Sequence, residues 1–377
     1  MTHETINPAQ YDIQLDEKKQ RLTAKLAPFF DSGTPPLDVY ASPKLHYRMR
    51  AEFRVWHEGD DLYYIMFDPQ TREKIRIDTF LPGSQLLNRA MHTLRQLILD
   101  QPQLRQKLFQ VDFLTSVSNE IVISLLYHRQ LDEKWEAAAE VLQQQLTQQL
   151  GVAKVGIIGR ARKQKKIMGE DFVTERLVID GRPYLFTQVE NSFTQPNAAI
   201  NVSMLEWALA QTATLDKRSD LLELYCGNGN FSLPLAQNFR RVLATEISKV
   251  SVHSARDNIR LNQIDNVTML RMSAEEFSAV MRNELKSQRA DEADVSSFNC
   301  KTVLVDPPRA GLDDATVKMV QQYDQILYIS CNPDTLVDNL AVLSQTHRLA
   351  RAALFDQFPY TEHMEAGVWL ERRGASA

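Results

Sequence analysis

The sequence predicts an α/β protein in two parts: an α+β domain over residues 1–187 and a mostly parallel sheet flanked by helices over residues 188–377. Three observations carry this. The chain has 377 residues, more than one ordinary domain holds. Its second half alternates short, wholly apolar runs with helical stretches, the pattern of parallel strands buried on both faces. Its first half shows period-two alternation and hairpin signals instead. From Tyr47 to Val55, Met49, Ala51, Phe53 and Val55 point one way, and Arg48, Arg50, Glu52 and Arg54 the other. Glu58-Gly59-Asp60-Asp61 is the turn, and Leu62 to Phe67 the returning strand. A helix is expected over Leu86–Leu99, a strand over Glu120–Tyr127 and a helix over Lys134–Leu150. Asp180-Gly181 between apolar runs marks a further hairpin. Beyond the boundary near Gln188, strands are expected at Leu221–Tyr225, Arg241–Thr245, Thr302–Val305 and Gln325–Ile329, with a helix near Leu233.

Composition narrows the class of protein. Apolar residues make up 44% and charged residues 24%, enough for a sizeable core. No stretch approaches the run of about 20 apolar residues that a membrane span needs. The polar N-terminal stretch has no apolar h-region, so no signal peptide and a cytoplasmic location are expected. Net charge is −5, which by itself does not suggest a nucleic-acid binder. Its distribution says more: residues 1–200 carry 25 basic and 25 acidic side chains, so the excess negative charge lies wholly in the second part. Within the first part, Arg160, Arg162, Lys163, Lys165 and Lys166 crowd into seven residues, a cluster suited to phosphates or solvent. The three cysteines, Cys226, Cys300 and Cys331, are far apart with no CxxC pair. That excludes a disulfide framework, a zinc site and an iron–sulfur cluster.

The apolar run Leu221 to Leu235, LLELYCGNGNFSLPL, passes from a strand through Gly227-Asn228-Gly229 into a helix. Glycines there allow a sharp turn and close approach of a ligand to the backbone, as in a Rossmann-like nucleotide site. Glu246 ends the next strand, where a carboxylate can accept hydrogen bonds from both hydroxyls of a ribose. The third glycine that a pyrophosphate favours is absent, its place held by Ser232. An adenosine ligand without phosphates fits best, and S-adenosyl-L-methionine (SAM) is one.

Two more strands end in chemistry-bearing residues. Val305-Asp306-Pro307-Pro308-Arg309 leaves the sheet at the carboxyl edge, where open α/β sheets bind ligands. Ser330-Cys331-Asn332-Pro333 leaves it at the same edge, so Cys331 is poised as a nucleophile. Cys300 precedes a strand and reads as a core residue; Cys226 either lines the cofactor pocket or packs, and packing is the favoured reading. Near the C-terminus, Glu362, His363 and Glu365 crowd ahead of a last strand, and any of them could act as a general base.

LYCGNGNFSLPLA, DPPRAGL, SCNP and HMEAGVWLERR, with YRMRAEFRVWH in the first part, together resemble the RNA uracil-5 methyltransferases, most closely those that act on tRNA. The resemblance spans essentially the whole chain. It implies a SAM-dependent methyltransferase domain behind an RNA-binding domain, and methylation of carbon 5 of the T-loop uridine, U54, of tRNA. It gives Cys331 the role of nucleophile and Glu365 that of the base. It puts Gln195, Tyr225, Asn230, Glu246 and Asp306 at the SAM site, beside Gly227 and Gly229. It makes Arg54, Phe109 and His128 candidates for contacts to the T-arm. On the residues themselves, the arginine face of the first hairpin (Arg48, Arg50, Arg54) and the basic run, with Arg160, Lys163 and Lys165, could contact phosphates. Other RNAs with a T-loop-like fold are possible partners; no membrane and no metal are expected. The implied chemistry needs a thiol because carbon 5 of uracil is a poor nucleophile until carbon 6 has been attacked. Arg309 stands where an adenine methyltransferase carries an aromatic after its prolines, and the DPP segment lacks the second cysteine of cytosine enzymes. A third reading, an RNA-binding or RNA-folding protein with secondary methylation, stays open on the residues.

Overall fold

The computed structural model describes residues 6–68 and 71–374; the start of the polar N-terminal stretch, residues 1–5, lies outside them. The chain divides into two compact units, and it passes between them five times rather than once near Gln188. The first unit comprises the chain up to Tyr11 together with Pro43–Leu177 and Thr187–Ala198; the second comprises Asp12–Ser42, Val178–Phe186 and the chain from Ala199 onward. Helix α1 (Tyr11–Leu26) and strand β1 (Asp38–Tyr40) thus precede the bulk of the first unit in sequence and belong almost wholly to the second. The physical reason is hydrophobic: Leu22, Leu26 and Leu37 are buried in the core of the second unit.

In the first unit, β2 (Arg50–Glu58), β3 (Asp61–Phe67) and β4 (Lys74–Arg76) open a seven-stranded sheet. Helices α2 (Gln85–Ile98) and α3 (Pro102–Arg105) follow, then β5 (Leu108–Thr115), β6 (Glu120–Tyr127), α4 (Glu133–Leu150), β7 (Lys154–Ala161) and β8 (Gln164–Met168). The order is β4-β3-β2-β5-β6-β7-β8. All neighbours are antiparallel except β6 and β7, which run parallel because α4 carries the chain back between them. Ser84 caps α2, and Asp132 caps α4 by accepting from the Trp135 amide at 2.9 Å. Phe53, Tyr64, Phe80 and Phe113 pack edge-on in the core beneath α2.

Strands β9 (Phe172–Ile179) and β10 (Arg182–Val189) form the hairpin read at Asp180-Gly181; both turn residues have positive φ, 48° and 73°. Helix α5 (Ala198–Thr212) follows. Then come β11 (Asp220–Leu224), α6 (Ser232–Leu235), β12 (Val242–Glu246), α7 (Lys249–Leu261), β13 (Val267–Arg271), α8 (Ala274–Met281) and α9 (Gln288–Glu292). The chain closes with β14 (Cys300–Val305), α10 (Asp314–Val320), β15 (Gln325–Ser330), α11 (Pro333–Leu343), β16 (His347–Phe355) and β17 (Glu365–Arg372). The eight-stranded sheet of the second unit has the order β1-β16-β17-β15-β14-β11-β12-β13. Strands β11 to β15 pair in parallel, as their apolar runs predict. The closing strand β17 inserts antiparallel between β15 and β16, and β1 pairs in parallel with β16 at the edge. Among the described residues no helix is long and apolar enough to cross a membrane.

Candidate active site

The carboxyl edge of the second unit's sheet collects the site. Strand β11 ends at Leu224, and Tyr225 (φ 61°), Gly227 (φ 56°) and Gly229 (φ 85°) turn the chain into α6. The two glycines do different things. A Cβ on Gly229 would lie 2.5 Å from Leu233, so that glycine lets the loop pack on its helix. A Cβ on Gly227 would face open space, where a ligand can meet the backbone. Ser232, in the place of the third glycine, donates its hydroxyl to Glu223, a carboxylate buried within β11. Burial pushes Glu223 up to about 8, with the charges of Asp306 and Glu246 adding to it. Glu223 is missing from the sequence reading, although a charged residue inside the apolar run LLELY was the signal for it.

Glu246, at the end of β12, accepts from the amides of Gly227 (3.1 Å) and Ser248 (2.7 Å), which ties the glycine loop to the start of α7. The Asn230 amide makes a reciprocal pair with buried Asn201 of α5 (2.8 and 2.9 Å), so its first task is to hold the loop to that helix. Gln195 lies in the irregular segment of the first unit that leads into α5. Glycine backbone open to a ligand, a carboxylate for paired hydroxyls, and the carboxylates of Glu223, Glu246 and Asp306 close enough to feel one another suit a nucleoside bearing positive charge.

The chemical end is set by β-pairing. Strand β15 pairs with β17 through Ser330 opposite Ala366, so Cys331 and Glu365 each stand one residue beyond that pair at the same end. Cys331 leaves β15 just before α11, whose N-cap is Asn332 and whose first residue is Pro333. The Asn332 side-chain amide (3.0 Å) and the Thr335 hydroxyl (3.2 Å) both donate to the Arg309 carbonyl, which joins this loop to the Asp306-Pro307-Pro308 turn. Cys331 and Asp306 are half-buried, and Glu365 is buried. Burial, then the charges of Glu365 and Asp306, push the Cys331 thiol up to about 11. Burial raises Asp306 to about 7. Burial, then the Asp306 charge, hold Glu365 well above the usual carboxylate range. Of the three base candidates, only Glu365 is buried here; Glu362 and His363 are exposed. Cys226 is buried 3.9 Å from the Met269 sulfur, as a packing residue should be. Cys300, expected in the core, is only half-buried at the start of β14.

Similarity to known proteins gives the family. The family model for tRNA (Uracil-5-)-methyltransferase matches residues 10–373. The chain belongs to that family. A tRNA/tmRNA (uracil-C(5))-methyltransferase of Idiomarina loihiensis is 57% identical over 373 residues, 99% of this chain and 100% of that one. One of Shewanella loihica is 57% identical with the same coverage. The structure of the Pyrococcus abyssi tRNA (uracil-54, C5)-methyltransferase in complex with S-adenosyl-L-homocysteine superposes with a TM-score of 0.70. It covers 96% of this chain and 83% of that one at 22% identity, a likeness of fold.

A member of this family must also hold RNA, and the first unit brings three of the expected contacts together. Phe109 and His128 stack at 3.8 Å between ring centroids, 11° from parallel, and the Arg54 guanidinium lies 5.5 Å over the Phe109 ring. Phe109, His128, Arg160 and Arg162 line one open groove. Two expectations change. The three-arginine face reduces to Arg54: Arg48 and Arg50 are half-buried, and each donates to a backbone carbonyl, those of Arg50 and Ser192. The basic run folds into the β7–β8 hairpin, and much of its charge finds partners inside the chain. Arg160 pairs with buried Glu190 (2.5 Å), Lys165 with Asp171 (2.5 Å) and Lys166 with Glu136. Arg162 and Lys163 stand exposed at the hairpin tip.

Proposed function

We propose that this enzyme methylates carbon 5 of the T-loop uridine, U54, of tRNA, and of T-loop-like folds such as that of tmRNA, with Cys331 as covalent nucleophile and Glu365 as base. The observation that carries the reading is the β15–β17 register, which supports Cys331 and Glu365 acting on one ring at one edge of the sheet. Glu246 and the Gly227 backbone bind the adenosine part of SAM, and Tyr225 and Asp306 complete the site as the family resemblance implies. SAM, when bound, supplies an electrophilic methyl group on a positively charged sulfur.

The residues then act in order. The Cys331 thiolate adds to carbon 6 of the uracil, and the electron pair of the 5,6 double bond moves onto carbon 5 and the ring carbonyl. Carbon 5 takes the methyl group, leaving S-adenosylhomocysteine. The Glu365 carboxylate removes the remaining proton from carbon 5, the double bond re-forms, and the Cys331 sulfur leaves. A carboxyl held above its usual range by burial is better matched to that proton than an exposed one. The positive end of α11 favours the thiolate form of Cys331, against the two acids beside it. The target base must leave the folded loop, which costs a few kcal/mol, and the Arg54–Phe109–His128 layer offers stacking for the bases it disturbs.

A T-loop RNA carrying 5-fluorouridine at the target tests this. With SAM and protein it should give a methylated adduct stable on a denaturing gel, because Glu365 cannot remove fluorine. Digestion should place the RNA on Cys331. No adduct, with ordinary tRNA still methylated, would assign the methyl group to another atom and remove both roles.

A further inference from the structure

Three side chains of α1 share one face at spacings of three and four, and each ends on a loop of the catalytic edge. Lys18 is buried. Its ammonium donates to the Asp356 carboxylate at 2.7 Å and to the Phe358 carbonyl at 2.8 Å. Arg21 pairs with Glu362, and Lys25 with Asp334 in the first turn of α11. The first three of these contacts fall on residues 356–364, the loop that joins β16 to β17. Phe355 and Glu365, which bound that loop, are paired residues of the two strands. The fourth holds the helix that begins just after Cys331.

Burying charge costs desolvation that only close pairing and further hydrogen bonds offset, so a buried pair with no chemical task points to a positioning role. The Asp356 carboxylate is itself buried, and its backbone amide is held at 3.0 Å by the Tyr40 carbonyl of β1. The loop is thus pinned from the α1–β1 segment at its first residue and again at Phe358. No hydrogen bond from Lys18 reaches Glu365 itself. What it fixes is the path of the chain into Glu365.

We infer that α1 is a positioning clamp for the catalytic edge, with Lys18 as the positioning residue that, through Asp356 and the Phe358 carbonyl, sets where the Glu365 carboxylate meets the proton on carbon 5. This rests on the proposed roles of Cys331 and Glu365. It assigns a catalytic consequence to a helix outside the parallel sheet that carries the Gly-rich, Asp306 and Cys331 loops.

The step that depends on Glu365 comes after methyl transfer, so a misplaced base leaves a distinct trace. Covalent methylated RNA accumulates on ordinary uridine, with no fluorine present. Glu365→Gln is the control. The test variant is Lys18→Met with Asp356→Leu, which replaces the buried pair by apolar groups of similar size and abolishes the anchor on Phe358. With SAM and T-loop RNA, the double variant should melt as the wild type does and give an adduct band on a denaturing gel. Steady-state turnover should fall by about tenfold or more, while methyl transfer in the first turnover stays within about threefold. A fall in both rates together with no adduct, or no change in either, overturns the inference. If the double variant unfolds at the assay temperature, Arg21→Ala with Lys25→Ala takes its place. Those two exposed pairs contribute little to stability, and the same band is required of that variant. An adduct with Glu365→Gln but not with the clamp variants refutes the clamp alone. No adduct even with Glu365→Gln refutes the base assignment beneath it.

Discussion

Cys331 faces two opposed demands. In the proposed reaction only its thiolate can add to carbon 6, yet burial and the carboxylates of Glu365 and Asp306 hold the proton on, pushing the thiol up to about 11. In the free enzyme its alkylation by iodoacetamide should therefore climb about tenfold per pH unit from neutrality towards that value. Removing a nearby negative charge makes the thiolate easier to form, so Asp306→Asn should shift the midpoint to lower pH. Peptide mass mapping of the Cys331 fragment across pH would read the shift; an unmoved midpoint would mean that Asp306 does not act on the thiol. At this scale the sequence was most legible where a residue leaves a strand. Cys331, Asp306 and Glu246 could be assigned to one edge because strand ends in a parallel sheet share it. The choice among Glu362, His363 and Glu365 could not be made from spacing, since burial separates them and burial depends on the partner strand.

The β7–β8 hairpin shows how an element redistributes what a run of letters suggests. Five basic residues in seven read as one patch, but folding into a hairpin sends Arg160 to Glu190, Lys165 to Asp171 and Lys166 to Glu136. Arg162 and Lys163 at the tip keep exposed charge. Arg162→Glu with Lys163→Glu should weaken tRNA binding and lower the slope of log affinity against log salt by about 2, leaving SAM affinity unchanged. Filter binding at several salt concentrations checks this; an unchanged slope would move the RNA path elsewhere. Glu190, just past β10, and Glu136 of α4 were invisible to local reading because they come from distant sequence. The period-two signals fared better: β2, β3, β6, α2 and α4 all lie within a few residues of where alternation and helical spacing put them. Strands β16 and β17 were the harder case. The last strand was visible in VWLERR, but its antiparallel place between β15 and β16 follows from sheet pairing.

For the molecule as a whole, the interleaving of the two units has a direct experimental consequence. A fragment of residues 188–377 ends at the boundary that composition suggests, yet it lacks α1, β1 and part of the β9–β10 hairpin. It therefore loses Leu22, Leu26 and Leu37 from its core and the edge partner of β16. Such a fragment should expose apolar surface, bind a hydrophobic dye and show no cooperative melt. Fusing residues 12–42 to it should restore a measurable part of the transition. A fragment that melts cooperatively on its own would show that the N-terminal segment is dispensable to the second unit's core. The interleaving was not legible in the sequence for a physical reason: hydrophobic patterning marks which residues are buried, and says nothing about which core receives them.

Lys18 and Asp356 stand 338 residues apart in the chain. During synthesis at roughly 5–20 residues per second, the leading helix waits roughly 20–70 seconds for its partner to be made. The first unit's strands are all complete long before then. A nascent chain is thus able to shape the surface proposed to face RNA well before its proposed nucleophile and base exist, and on that reading chemistry switches on only when the final strands close over the oldest part of the polypeptide.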